Sequence, residues 1–243
     1  MAYRLSQIFR LTAVLLALTG FSSLAAIRTT AHPDFETIKA VTLDPESEYY
    51  YPNLLKSFFS NDTTMTDDAY HYLYYGSMFQ EDYNPYRNDP FASQLDATKP
   101  LYRKHGNLTR NEKSQIQDLA VKSLANNPLN LTQLMYLVYA YEQSGKQNLA
   151  KMWKHKLDHL LLTISRSGTG ADKEHAFVVA DPSHEFDFFN LSGATVESQS
   201  FEEPYYEQVT VRIPGSNDTR TYWFDLHHVL EQYYIKHPRE LKN

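Results

Sequence analysis

The chain has 243 residues, with 23 Lys and Arg against 29 Asp and Glu, and no cysteine. Without cysteine there are no disulfides, no thiolate metal ligands and no cysteine nucleophile. A formal net charge of −6 sets up a field that repels nucleic acid and anionic lipid.

Residues 1–26 read as a cleavable signal peptide. Arg4 and Arg10 supply a positive start with no acid to offset them, and Leu11 to Phe21 form an apolar run. That run is too short to cross a hydrocarbon core of about 30 Å. Ser22, Ser23, Ala25 and Ala26 are the small residues that a signal peptidase requires. The expectation is an exported bacterial protein, periplasmic or secreted. It is not a lipoprotein, because no cysteine is present to carry lipid. Without Arg4 and Arg10 the remaining chain holds 21 basic and 29 acidic residues, a net charge of −8.

The next elements follow in order. A short first helix is expected around Asp34 to Ala40. Pro52 suits the first turn of a second helix, where its missing N–H costs nothing, and Leu54, Leu55, Phe58 and Phe59 follow on one face. A third helix opens after Thr66, with Asp67 and Asp68 favoured by the helix dipole, and ends near Gly76. Residues 80–107 read as loop, because Asn84-Pro85, Asp89-Pro90 and Lys99-Pro100 interrupt helical backbone. Helical periodicity resumes over Arg110 to Leu124, around Leu134 to Tyr141 and from Leu149 to Ile164.

After Gly170 the pattern changes. His175 to Ala180 and Glu185 to Asn190 are β-branched or aromatic runs, read as strands. Val209, Val211 and Ile213 alternate with polar residues, Pro214 to Asp218 form a hairpin turn, and Thr219 to Phe224 return as a strand. Asp225 can cap a final helix. Helices first and strands second give an α+β fold. The expected parts are a signal peptide (1–26), a helical part (27–166) and a small antiparallel β part with a C-terminal helix (167–243).

Two resemblances follow from these residues. Leu134, Leu137, Val138, Tyr141, Gly145 and Ala150 resemble a tetratricopeptide helix pair, with Trp153 one position away from the expected aromatic. Only about one and a half repeats are visible, so the pair must pack on other elements. A wider set of residues comprises Tyr50-Tyr51-Pro52, Leu73-Tyr74-Tyr75-Gly76, Tyr83-Asn84-Pro85-Tyr86, Ser167-Gly168-Thr169-Gly170, Ala176-Phe177-Val178-Val179, Glu185 and Gln199-Ser200. With these the chain resembles exported bacterial proteins of domain-of-unknown-function family 4919. That resemblance implies no activity.

Three local patterns could carry chemistry. His155 and His159, four apart on a helix, have the spacing of zinc ligands, and His155 to His159 resembles the H-x-x-E-H of inverted zinc peptidases with Asp in place of Glu. Trp153, Leu157, Leu160 and Ile164 define the buried side of that helix, so both histidines are expected to face solvent. Gly168-Thr169-Gly170 has the glycines of a phosphate loop but follows a helix and precedes a strand, the reverse of the required order. It reads as a helix end and turn. Tyr74, Tyr75, Tyr83 and Tyr86 with Arg87 could line a groove for a glycan or peptide, or they could pack the helix against the following loop.

The leading reading is a non-catalytic exported module that binds another envelope protein, a peptide or a glycan, without a cofactor. The alternatives are a periplasmic hydrolase or metal-dependent enzyme using His155 and His159, and a purely structural envelope protein.

Overall fold

A computed structural model describes residues 32–60, 63–103, 108–213, 215 and 218–240, so the expected signal peptide lies outside the described residues. The described chain divides into two compact units. One contains the residues up to Pro85 together with those from His159 onward, and the other contains Tyr86–Asp158.

The first unit opens with α1 (Phe35–Leu43), whose N-cap Asp34 accepts the Thr37 N–H at 3.2 Å. Helix α2 (Tyr51–Phe59) carries Pro52 in its first turn, as its sequence predicts. Helix α3 (Asp67–Gly76) starts at Thr66, whose hydroxyl accepts the Ala69 N–H at 3.1 Å, and runs on into a 3₁₀ turn, Ser77–Phe79. Tyr70, Leu73, Tyr74 and Tyr75 are all fully buried on α3. Gly76 lets α3 approach α1: a Cβ there would lie 2.6 Å from Thr42 Cγ2, and Thr42 is itself fully buried.

In the second unit, α4 (Ala92–Thr98) and a 3₁₀ segment, Lys99–Arg103, occupy part of the stretch read as loop. The Asp89 carboxylate accepts the Phe91 N–H at 2.7 Å in a turn across Pro90, and α4 follows it. Helix α5 (Arg110–Asn126) has a full capping box between Thr109 and Glu112 and packs on α6 (Leu131–Gln143). Helix α7 (Gln147–Ser167) begins in this unit and continues past its boundary. Helices α6 and α7 cover the stretch 127–164 over which the sequence predicts two helices.

Beyond α7 the first unit continues with β1 (Phe177–Val178), α8 (Ser183–Leu191), β2 (Thr195–Glu202), β3 (Tyr206–Arg212), β4 (Thr219–Asp225) and α9 (His227–Lys236). The sheet order is β1-β4-β3-β2, with β2, β3 and β4 antiparallel and the two-residue β1 parallel to β4. The fold is α+β. The Asp225 carboxylate accepts the His227 N–H at 2.7 Å in the turn before α9, whose N-cap position is Leu226 rather than Asp225.

Residues 185–190 form helix rather than the expected strand. An aromatic run resembles a strand, but its buried members His184, Glu185, Phe188, Phe189 and Leu191 fall at helical spacing. The Asp181 carboxylate accepts the Ser183 N–H at 2.9 Å in the turn that leads into the helix. Helix α8 lies on one sheet face, where Phe188 meets Phe177 at a 5.1 Å centroid distance and Phe189 meets Tyr222 at 5.1 Å. Val209, Val211 and Phe224 complete that buried face with no exposure.

Candidate functional site

The tyrosines proposed as a groove separate into two groups. The Tyr74 hydroxyl lies 2.8 Å from His184 Nδ1 and accepts the Ala180 N–H at 3.2 Å. The Tyr75 hydroxyl donates to the Val178 carbonyl at 3.1 Å, and that of Tyr83 donates to the Ala180 carbonyl at 2.8 Å. These three rings hold the 178–184 segment in place. Tyr74 and Tyr75 do so from the core, and burial drives both phenols up, so they act as neutral hydroxyls. Tyr86 and Arg87 belong to the other unit. Tyr86 is 49% exposed, and Arg87 donates from Nη1 to the Asn126 carbonyl at 2.8 Å.

The two histidines of α7 also differ from expectation. Both are half-buried rather than exposed. His159 stacks on Tyr70 with ring centroids 4.7 Å apart, and its Nδ1 lies 2.8 Å from Asp67 Oδ1. Burial alone would raise the Asp67 carboxyl, but Arg166 and His159 outweigh it and hold it low. His159 thus packs against α3 beside the Asp67–Arg166 ion pair. Lys156, between the two, is fully buried with its ammonium 4.8 Å from the Trp153 ring centroid. Among the described residues no three His, Cys, Asp or Glu side chains are placed to hold a metal.

The Gly168–Gly170 segment is a turn, as read. The Thr169 and Gly170 N–H groups both donate to the His175 carbonyl, at 2.9 and 2.7 Å, so they are not free for phosphate. Gly170 has φ +69, and a Cβ there would meet Phe177 Cε2 at 2.5 Å. Gly170→Ala is expected to cost about 2 kcal/mol or more, combining left-handed strain with core overlap. Urea unfolding would show this as a lower midpoint at unchanged slope.

A surface that the sequence reading did not single out is the sheet face opposite α8. Strand partners point to the same side, so register defines its rows. Glu202, Tyr206 and Asp225 form one row, Ser200, Gln208 and Trp223 the next, and Ser198, Thr210 and Thr221 the third. All nine are exposed or half-exposed. The Tyr206 and Trp223 rings stand edge to face at 6.3 Å and 83°, with Lys173 Nζ 5.1 and 5.0 Å from their centroids. Tyr205 stacks on His227 at 4.5 Å beside them. Partial burial, with Asp225 opposite, pushes the Tyr206 phenol up to about 12. The signal in the sequence was a tryptophan at the polar positions of an alternating strand.

The opposite, inward side holds an acid at the sheet's open edge. Glu185 on α8 is fully buried. Gln199 Nε2 donates to Glu185 Oε2 at 3.3 Å and also to the Glu207 carboxylate. Gln199 is exposed and Glu207 half-exposed, so the cluster opens to solvent beside β2. Burial pushes the Glu185 carboxyl up to about 10, with Glu207 and Asp181 adding to the shift and Gln199 opposing it. Glu185 Oε1 is buried without a hydrogen-bond partner. In the sequence Glu185 stands only among the residues of the family resemblance, and no chemical pattern includes it. The available signal was a glutamate on the apolar face of α8.

The fold and these two surfaces define an α+β protein with a one-sided sheet, whose inner face is core and whose outer face is polar and aromatic. A family model described as a domain of unknown function (DUF4919) matches residues 36–235, and the chain belongs to that family. No curated protein and no solved structure matches it. Among the described residues no helix is long and apolar enough to cross a membrane.

Proposed function

We propose that this chain is an exported, non-catalytic binding module that recognises a glycan of the cell envelope on the outer face of its sheet. The observation that supports this is the composition of that face. Trp223 and Tyr206 offer ring surface, and Gln208, Thr210, Thr221, Ser198 and Ser200 offer amides and hydroxyls in the adjoining rows. Sugars present C–H faces that stack on aromatic rings and hydroxyls that pair with such groups. The rigid strands hold the pattern in place, which lowers the ordering cost of binding.

The test is titration of the purified chain with soluble peptidoglycan fragments and neutral oligosaccharides, followed by calorimetry. Trp223→Ala and Tyr206→Ala are each expected to weaken binding about tenfold or more, as for a buried aromatic anchor. Melting temperature should change little, since both side chains lie outside the core. The reading is lost if no saccharide binds, or if both variants bind as the parent does. Export is tested separately by cell fractionation. A chain lacking residues 1–26 should stay in the cytoplasm while the intact chain leaves it, and the same location for both would remove that part.

A further inference from the structure

We propose that the saccharide bound on the outer sheet face carries a single carboxylate, and that Lys173 is the residue that selects it. This rests on the glycan reading of that face and names the class of sugar it takes.

A cation stands against the two aromatic rings with no acid to neutralise it. Lys173 is exposed, and its Nζ lies 5.1 Å from the Tyr206 ring centroid and 5.0 Å from that of Trp223. Its one hydrogen bond among the described residues is long, 3.5 Å to the Glu203 carbonyl. Among those residues no carboxylate pairs with it. Ring faces attract a cation through their quadrupole but leave its net charge in place. An ammonium has three N–H donors, so a ligand oxygen has donors to meet, and an anionic oxygen makes the stronger bond.

The place of Lys173 is built into the fold. The Trp223 N–H donates to the Gly170 carbonyl at 2.9 Å and ties the lysine's loop to β4. The Thr169 and Gly170 N–H groups close that loop on the His175 carbonyl, and Asp172 accepts the His175 N–H at 2.9 Å. The loop is therefore anchored at Trp223, the residue whose ring the sugar stacks on. With the backbone held, binding has mainly the lysine side chain to order, which lowers its cost.

The surrounding charges limit the ligand to one carboxylate. Glu202 and Asp225 stand at the two ends of the row that contains Tyr206. Asp225 is engaged already, accepting the His227 N–H at 2.7 Å with His32 Nε2 3.8 Å away. A second anionic group along this row meets one of these acids. Arg212, the base further along β3, is paired with Glu197 and offers no second cation. The chain's net charge of −6 repels a polyanion as a whole. The hydroxyls and amides of the adjoining rows suit the uncharged remainder of the sugar.

The experiment is a tryptophan-fluorescence titration of the purified chain at low salt with four oligosaccharides of equal length. One ends in glucuronic acid, one is its methyl ester, one is the neutral glucose-terminated parent, and one carries a uronic acid at every position. The single acid is expected to bind about fivefold more tightly than its ester or the neutral sugar, as for one partly exposed charge pair. The fully charged oligomer should bind more weakly than the single acid. Lys173→Gln should bring the acid down to the affinity of its ester, while Lys173→Arg keeps the preference. About 0.5 M salt should shrink the preference in the parent. The proposal is overturned if the parent binds acid and ester alike, or if Lys173→Gln retains the preference. Equal binding of acid, ester and neutral sugar that is lost in Trp223→Ala would end this proposal and leave the glycan reading standing. Binding of none of the four would remove both.

Discussion

Glu185→Gln is expected to stabilise the chain at pH 7 by about 2 kcal/mol, and to flatten the dependence of its stability on pH. The folded carboxyl stands near 10, far above the ordinary glutamate value of 4.5. Between those values the folded state holds a proton that the unfolded state has lost. Stability is then greatest below the unfolded value and declines as pH rises through neutrality toward the folded value. A glutamine keeps the shape of the protonated acid and can still donate toward Glu207, but it carries no proton to lose. Urea unfolding at pH 4 and pH 8 would measure both effects. The parent should lose stability between the two values more steeply than the variant. A variant that is equally destabilised at both would show that the acid is not held neutral.

Tyr74→Phe is expected to destabilise by about 2–3 kcal/mol, although it removes a single oxygen. That hydroxyl is fully buried and joins two polar groups, the Ala180 N–H and His184 Nδ1. Its loss leaves both without a partner in the core, where water cannot replace it. Tyr75→Phe serves as the comparison, because its hydroxyl donates to one carbonyl, that of Val178, and its other neighbour, Ser167, keeps partners at Ile164 and Val178. About 1 kcal/mol is expected there. Denaturant midpoints of the two variants under one condition test the ordering, and equal losses would show that the second hydrogen bond contributes nothing.

The helical half was legible because its signals are local. Asp34, Thr66 and the Thr109–Glu112 pair cap helices within three residues of themselves, and Pro52 sits where a first turn accepts it. The hairpin of β3 and β4 was legible from the alternation of Val209 and Val211 and from the return after Pro214 to Asp218, a turn only partly inside the described residues. Helix α8 was misread because Phe186, Phe188 and Phe189 satisfy either periodicity, and burial of Phe188 and Phe189 against the sheet decided the outcome. Strand β2 carries no clear apolar alternation, since six of its eight residues are exposed and its pairing with β3 defines it.

The sequence by itself determined the succession of a helical half by a strand-containing half, the α+β class and the family, and it supplied the signal-peptide pattern outside the described residues. Each of these rests on neighbours along the chain. The tertiary structure alone decided what the tyrosines and acids do. Tyr74 meets His184 across 110 positions, and Glu185 meets Gln199 across 14, on separate elements. A side chain's burial, and so the state of its proton, depends on what packs over it from elsewhere in the fold. That is why a tyrosine cluster read as a groove is largely core, and why Glu185, part of no chemical pattern in the sequence, carries the most strongly shifted carboxyl among the described residues.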